Sequence, residues 1–181
     1  MPGASLNHVM LDVARSWRRW SRRIALSLAL ILVFPVIYCV PFRVSSESMT
    51  PALHPGDVLL VDKQVFEWRL PQRWEIIVFH GPEYRSTPYV KRIVGLPNET
   101  IEIKDGQLFI NGVIMEPPFH ADYQLPDEMI HSKGRHGVHA PCRLEPDEYF
   151  VLGDNGAASD DSRTWPKPGV KLTAIIGRAI R

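Results

Sequence analysis

The sequence predicts a mainly β protein, in which a single N-terminal transmembrane helix precedes an antiparallel, barrel-like β domain. Three observations lead to this fold class. An uncharged apolar run of 19 residues lies near the N-terminus. No long helical period follows it, and the rest of the chain holds short segments rich in β-branched residues between turn signals. With 181 residues, the chain has the length of one domain with appendages.

The apolar run covers residues 24–42 and matches the roughly 20 residues that a helix needs to cross a bilayer. Residues 1–23 carry five arginines and one aspartate. The positive-inside rule therefore places them in the cytoplasm and residues 43–181 outside it. A cleaved signal peptide is the alternative, but "YCVPFRV" offers bulky residues where a cleavage site needs small ones. We expect an uncleaved single-pass anchor in the lipid bilayer.

Six segments of the outer domain predict strands. They are "DVLLVDK" (57–63), "EIIVFH" (75–80), "YVKRIVGL" (89–96), "TIEIKDGQLFINGVIM" (100–115), "EYFVLGDN" (148–155) and "LTAIIGRAI" (172–180). The fourth segment contains an Asp105-Gly106 pair between alternating runs, which is a hairpin signal. Together these segments predict an antiparallel β domain with short connections.

Residues 116–146 differ from this pattern and predict a long irregular excursion between two strands. The segment is rich in proline and holds four of the seven histidines. Four of its side chains suggest a zinc set at first sight: His131, His136, His139 and Cys142. Their spacing matches no common ligand pattern, so we predict neither a metal site nor a cofactor. Cys39 falls within the membrane span, so we expect no disulfide between it and Cys142.

The overall charge argues against a nucleic-acid-binding protein. The 21 basic and 20 acidic residues give a net charge of +1, whereas a nucleic-acid footprint needs a strongly basic face. The basic excess is confined to the segment before the apolar run.

A serine directly after the apolar run could serve as a nucleophile. A serine hydroxyl needs a base to take its proton, so Ser48 in "SSESM" matters only if the fold supplies one. Lys91 in "PYVKRIVGLP" is the candidate, because strand alternation places it on one face with Tyr89 and Ile93. Burial among apolar neighbours lowers a lysine pKa and favours the neutral form that a base needs.

Other interpretations of the lysine remain open at this point. On an edge strand, Lys91 and Arg92 would both be solvated. Lys63 and Lys104 are rival bases, since both also lie in strand-like segments.

Three motifs resemble, in their order, those of the type I signal peptidases, which are membrane-anchored Ser-Lys proteases. They are "SESMTPALHPGDVLLVDK", "YVKRIVGLPNETIEI" and "EYFVLGDNGAASDDSR". The resemblance covers nearly all of residues 24–181 in organisation. It is weakest in residues 116–146, where larger members of the family carry an extra β-domain, so the chain resembles a minimal form.

The resemblance implies a role for each matching residue. Ser48 falls at the nucleophile and Lys91 at the general base, whereas the endoplasmic-reticulum branch has histidine at the latter position. Ser46 falls at the hydroxyl that helps the Ser48 N–H hold the oxyanion. The last motif implies three supporting residues: Ser159, which orients the lysine amine, and Asp161 and Arg163, which form a structural ion pair.

The chain departs from the family pattern at a few positions near these motifs. Glu47 stands where many members have glycine or another small residue, and Gly156 stands where the last motif commonly has arginine. Asn98 and Glu99 replace a usual Gly-Asp. These departures bear on substrate range and local rigidity more than on activity.

The resemblance implies an endopeptidase that removes N-terminal signal peptides from exported, membrane-inserted preproteins with small residues before the cleavage site. The expected location is the cytoplasmic membrane with the catalytic domain on its outer face, and an organellar inner membrane fits as well. One alternative is a dedicated maturation protease for a single substrate, as in pilin processing. Another is a membrane-anchored assembly protein without turnover. A soluble repressor-type autoprotease would instead begin with a DNA-binding domain.

Overall fold

The structure is a computed structural model that describes residues 17–18, 20–28, 39–81, 87–126, 136–138 and 140–180. The chain divides into two units, Met1–Cys39 and Val40–Arg181. Residues 20–28 of the first unit are helical. Within the described ranges, no helix has both the length and the apolar character that a membrane crossing requires. Much of the predicted anchor, residues 29–38, lies outside the described residues, as do residues 1–16 of the basic segment.

The C-terminal end of the predicted anchor is wrong, because the chain is extended there. Strand β1 is Cys39–Arg43, so residues 39–42 are not helical. Val40 precedes Pro41, and a residue before proline is biased away from the helical region. The strand is at the edge of its sheet, next to β2, where a proline without an N–H group is tolerated. Apolar composition alone does not separate such a strand from the end of a helix.

The remaining strands follow in chain order. They are β2 (Val58–Asp62), β3 (Ile76–His80), β4 (Pro88–Gly95), β5 (Thr100–Lys104), β6 (Gln107–Ile110), β7 (Val113–Ile114), β8 (Cys142–Arg143), β9 (Glu148–Leu152), β10 (Val170–Lys171) and β11 (Ile175–Ile180). Seven form one sheet in the order β1-β2-β11-β3-β4-β9-β10, and four form another in the order β7-β6-β5-β8. The registered strand pairs are antiparallel. The predicted mainly β, antiparallel class is therefore confirmed.

Each of the six predicted segments contains at least one strand. The hairpin between β5 and β6 turns at Asp105 and Gly106, whose φ angles are 50° and 76°, as a type I′ turn requires. Asn111 and Gly112 repeat this geometry between β6 and β7, with φ angles of 52° and 80°. Strands β8 and β10 were not predicted, since two residues carry no readable period. Because β8 falls within residues 116–146, that excursion is not wholly irregular.

The larger sheet buries apolar side chains on both of its faces. One face contributes Val78 and Val90 to a cluster around Met49 and Leu53, and the other contributes Ile93 to a cluster around Trp165. The smaller sheet buries a third cluster, which includes Ile101, Leu108 and Phe150. Strand β4 pairs with β3 on one side and β9 on the other. It is therefore central, and the edge-strand interpretation of Lys91 is wrong.

Candidate active site

Ser48 lies in a tight turn between the first two strands of the larger sheet. Residues Glu47–Met49 form a 3-10 turn, and the Leu53 N–H donates to the Met49 carbonyl 2.8 Å away. Met49 is completely buried beside Leu53, which fixes the turn to the core. Ser48 is itself buried, with 2% of its surface exposed, because the turn directs it into the domain.

Lys91 lies on the central strand β4 and reaches the Ser48 hydroxyl. The Lys91 Nζ and the Ser48 Oγ are 2.7 Å apart, within the range of a nucleophile and its base. Lys91 is 4% exposed and stands opposite Ile77 of β3. The period-2 pattern had placed it on an apolar face, and the structure agrees with that placement.

The serines after β1 line a cavity beside this pair. Its volume is about 250 Å³, and its walls include Ser45, Ser46, Ser48, Lys91 and Asp160. The Ser46 Oγ lies 3.1 Å from the Ser48 Oγ. A hydroxyl at this position can donate to a second oxygen atom that sits near the Ser48 Oγ, as an oxyanion would.

Burial changes the proton affinity of the lysine. Removal from water lowers the pKa of Lys91, while the negative charges of Asp161 and Asp160 act in the opposite direction. The net pKa lies below that of a free lysine, so the neutral amine forms at a lower pH. A neutral Lys91 can accept the proton of the Ser48 hydroxyl.

The predicted ion pair of the last motif is completely buried. The Arg163 Nε and Nη2 donate to the two carboxylate oxygens of Asp161 over 2.8 Å and 2.7 Å. Burial alone would raise the pKa of Asp161, but the Arg163 charge and hydrogen bonds from Arg163, Ser159 and the Gly153 N–H lower it. Asp161 therefore remains a carboxylate inside the protein.

Ser159 lies next to this pair, and its observed bond differs from the expected one. Its hydroxyl donates to the Asp161 Oδ2 over 2.5 Å. Lys91 has its hydrogen bond with Ser48, and the structure gives no hydrogen bond between Ser159 and Lys91. The Ser159 Oγ also lies where a side chain on Gly153 would have to sit, together with the Ser48 carbonyl. Glycine at position 153 therefore lets Ser159 and the Ser48 backbone converge.

The rival bases do not share this environment. Lys63 and Lys104 are both exposed, and the Lys104 Nζ is 2.9 Å from the Glu102 carboxylate. Neither lysine therefore has the buried surroundings that Lys91 has.

A second buried ion pair was missed by the sequence analysis. The Arg92 Nε and Nη2 donate to the Asp154 carboxylate over 2.8 Å and 2.6 Å, and the guanidinium lies 3.8 Å from the centre of the Phe119 ring. An arginine within an apolar strand is a usable signal, because a buried guanidinium needs a carboxylate partner.

Asn155 was also missed, although it holds the turn that carries Ser48. Its N–H donates to the Ser48 carbonyl over 3.0 Å. Its side-chain amide donates to the Glu47 carbonyl over 3.3 Å and to the Thr50 Oγ1 over 3.0 Å. The sequence offers no local signal for a contact between residues 105 or more positions apart.

Two of the departures from the family pattern, Glu47 and Gly156, take different positions in the structure. Glu47 is exposed beside Ser48. Gly156 is buried, and a side chain there would collide with the carbonyls of Asp122 and Gln124. The Gly156 N–H donates to the Asp122 carbonyl over 2.6 Å. Glycine thus allows part of the 116–146 excursion to pack onto the last motif.

The cysteines and the suggested zinc set can be located only in part. Cys39, in strand β1, and the buried Cys142 are both free thiols. His131 and His139 lie outside the described residues. In the part of the chain that is described, no three histidine, cysteine or acidic side chains lie close enough together to hold a metal ion.

Comparisons with known proteins place the chain among peptidases. A family model described as signal peptidase, peptidase S26, matches residues 17–181. A signal peptidase I of Bacillus licheniformis is 34% identical over 144 residues, which cover 80% of this chain and 76% of the relative. A signal peptidase I P of Bacillus subtilis subsp. natto is 35% identical with the same coverage. A solved signal peptidase I from Enterococcus faecalis V583 is 30% identical and covers 60% of this chain and 95% of its own, with a TM-score of 0.43.

The sequence matches first define the class of protein, which is a hydrolase of the serine protease type. Within that class, the chain belongs to the signal peptidase family, peptidase S26. The family expected from the three sequence motifs is thereby confirmed.

Proposed function

We propose that the protein is a membrane-bound serine endopeptidase that removes N-terminal signal peptides from exported preproteins by a Ser-Lys dyad mechanism. The observation that carries this proposal is the 2.7 Å separation of the Lys91 Nζ and the Ser48 Oγ at a buried position. Its support includes the family to which the chain belongs and the names of its relatives, which are signal peptidases.

In the first step, neutral Lys91 takes the proton of the Ser48 hydroxyl while the Ser48 Oγ attacks the scissile carbonyl carbon. The carbonyl oxygen becomes an oxyanion, and the Ser48 N–H and the Ser46 hydroxyl are the proposed donors to it. Lys91 then gives its proton to the leaving amine as the peptide bond breaks. A water molecule next gives a proton to Lys91 and hydrolyses the Ser48 ester, and Ser48 recovers its proton.

Asp161, Arg163 and Ser159 are proposed to support Lys91. The Asp161 carboxylate accepts from the Ser159 hydroxyl, and this fixes the direction of the Ser159 O–H bond. In the described part of the chain, no side chain or N–H donates to the Ser159 oxygen, so its lone pairs can accept from the ammonium that Lys91 becomes during the reaction. Arg163 holds the carboxylate in place through its bidentate contact. In this way Ser159 would orient the lysine amine although it does not bond to it before the reaction.

The proposed location is the cytoplasmic membrane, or an organellar inner membrane, with the basic N-terminus inside and the catalytic domain on the outer face. The apolar part of residues 24–42 that precedes β1 is the proposed anchor, and the segment from β1 onward is the proposed catalytic domain. An anchor confines enzyme and membrane-inserted preprotein to one plane, which raises their effective concentration. Small residues before the cleavage site suit a cavity of about 250 Å³.

The test is to incubate the full-length protein in detergent or vesicles with a preprotein that has an Ala-x-Ala cleavage site. We expect one cleavage after that site, and no cleavage by a Ser48→Ala variant of equal thermal stability. Cleavage by Ser48→Ala would contradict the assigned nucleophile. Failure of the wild type on several preproteins, with cleavage of one particular partner only, would favour the dedicated maturation protease instead.

A further inference from the structure

Asp160 places a carboxylate in the wall of the catalytic cavity. Its half-buried side chain lines the same cavity as Ser48 and Lys91. The Thr164 hydroxyl donates to the Asp160 Oδ1 over 2.7 Å, which fixes the carboxylate on one side. Among the residues that the structure describes, no cationic side chain forms an ion pair with it within 4.0 Å.

The neighbouring carboxylates are in a different situation. Asp161 has a bidentate contact with Arg163, and Asp154 has one with Arg92. These two negative charges are therefore matched inside the protein. Among the described residues, the charge of Asp160 has a neutral hydroxyl as its partner, and it faces a cavity whose lysine has a lowered pKa. A half-buried charge is screened less than one on the open surface, so it acts on whatever enters the cavity.

We propose that Asp160 is a specificity-determining residue that favours preproteins with a basic side chain close to the scissile bond and disfavours those with an acidic one. This inference rests on the proposed function and names the substrate class more narrowly. A cationic side chain would gain the ion pair that Asp160 otherwise lacks. An anionic side chain would meet an unmatched like charge, which is how a site rejects a wrong partner.

Glu47 is a second carboxylate near Ser48. Comparison of Glu47 with Asp160 shows whether selectivity depends on a carboxylate in the cavity wall or on any nearby negative charge. It is exposed and is not among the residues that line the cavity. Exposed charges interact weakly with their partners because water and salt screen them. The selectivity should therefore follow Asp160 and not Glu47.

The experiment uses the full-length enzyme and one cleavable preprotein in which lysine, glutamine or glutamate is placed in turn at each position near the scissile bond. Positions that require small residues are left unchanged. The kcat/KM value is measured for the wild type and for Asp160→Asn, Glu47→Gln and Asp147→Asn. Asp147 is a matched control, because it is an exposed aspartate paired with Lys171.

At one position or more, we expect the wild-type kcat/KM to be roughly 5- to 20-fold higher for the lysine substrate than for the glutamate substrate. This range lies between the effect of an exposed ion pair and that of a partly buried one. Asp160→Asn should reduce this ratio to about 2-fold or less while the glutamine substrate is still cleaved. Asn keeps the size of the side chain and its acceptor for Thr164. Glu47→Gln and Asp147→Asn should keep the wild-type ratio.

Several results would overturn the inference. They are an equal rate for lysine and glutamate substrates in the wild type, a preference that survives in Asp160→Asn, and a preference that disappears in Glu47→Gln. If Asp160→Asn does not fold, the test is the ratio of the wild-type kcat/KM values for the lysine and glutamate substrates at increasing salt. An electrostatic preference must fall as salt is added, and a ratio that does not fall overturns the inference. Cleavage of the glutamine substrate without any charge preference leaves the proposed function intact. No cleavage of any substrate overturns both.

Discussion

The two faces of strand β4 carry buried basic side chains in different surroundings. Arg92, which is 8% exposed, meets the Asp154 carboxylate through two hydrogen bonds and lies over the Phe119 ring. Lys91, which is 4% exposed, meets the hydroxyl of Ser48. In the described part of the chain, no carboxylate lies within 4.0 Å of the Lys91 Nζ. Adjacent residues of one strand thus reach two different chemical environments.

The difference shows how adjacent residues of one strand can place a proposed base next to a structural ion pair. A guanidinium cannot lose its proton in a protein, so a buried arginine requires a carboxylate. An amine can lose its proton, and burial without a close carboxylate favours this loss. Strand alternation separates the two side chains, and the carboxylate on the Arg92 face therefore does not act as the ion-pair partner of Lys91.

The largest expected effect concerns the lysine face. Lys91→Met keeps the bulk of the side chain and removes the proposed base, so activity on a preprotein should fall on the order of 10⁴-fold or more. The Ser48→Ala/Lys91→Met double variant should be little worse than either single variant if the two residues act as a unit, as proposed. Lys63→Met, which changes an exposed lysine, is the control and should retain activity. Near wild-type cleavage by Lys91→Met would contradict the Ser-Lys assignment.

Loss of the carboxylate that pairs with Arg92 should instead lower the free energy of unfolding. Asp154→Asn removes the charge that matches Arg92 and leaves a buried guanidinium uncompensated, which costs about 3–5 kcal/mol of unfolding free energy. Lys91→Met replaces a desolvated amine by an apolar group, so we expect its unfolding free energy to be unchanged or higher. Chemical denaturation of both variants and the wild type measures this contrast. A larger loss for Lys91→Met than for Asp154→Asn would reverse the comparison.

The lysine side of this contrast could be predicted in part from the sequence. Period-2 alternation placed Lys91 with Tyr89 and Ile93, and the structure has that arrangement. The strand segments and the hairpin at Asp105 were predicted because alternation and turn residues are local signals. The pairing of Ser48 with Lys91 was predicted only from the resemblance of the ordered motifs to a known family. The two residues are 43 positions apart, and a local sequence pattern does not give the distance between them.

The remainder depends on contacts that no local pattern encodes. The partner of Arg92 is 62 positions away, and the amide of Asn155 crosses 105 positions to Thr50. The end of the apolar run was predicted as helix and is strand β1, because composition cannot tell an apolar edge strand from a helical turn. The bond of Ser159 to Asp161 depends on the rotation of a hydroxyl, which sequence does not specify.

A smaller effect should appear in the pH dependence of stability. The folded-state pKa of Lys91 is lowered by burial, so between that pKa and the unfolded value of about 10.4 the unfolded chain binds more protons. The unfolding free energy should therefore rise with pH in this window, by at most about 1.4 kcal/mol per pH unit from this group.

The difference between the wild type and Lys91→Met isolates this contribution, because most other titrating groups are common to both proteins. Denaturation midpoints of the pair, measured from neutral pH to about pH 10, should show the wild type gaining relative to the variant. A constant difference, or a relative loss by the wild type, would mean that the folded-state pKa of Lys91 is not lowered.

The most direct measurement is a titration of the Lys91 amine by nitrogen NMR in protein labelled at the lysine Nζ, with the signal assigned by its absence in Lys91→Met. We expect Lys91 to titrate below the value of about 10.4 for a free lysine, because burial disfavours its charged form. The lower limb of the pH profile of kcat/KM should have the same pKa, since only the neutral amine can accept the Ser48 proton. A Lys91 that stays protonated throughout the pH range of full activity would contradict its role as the base.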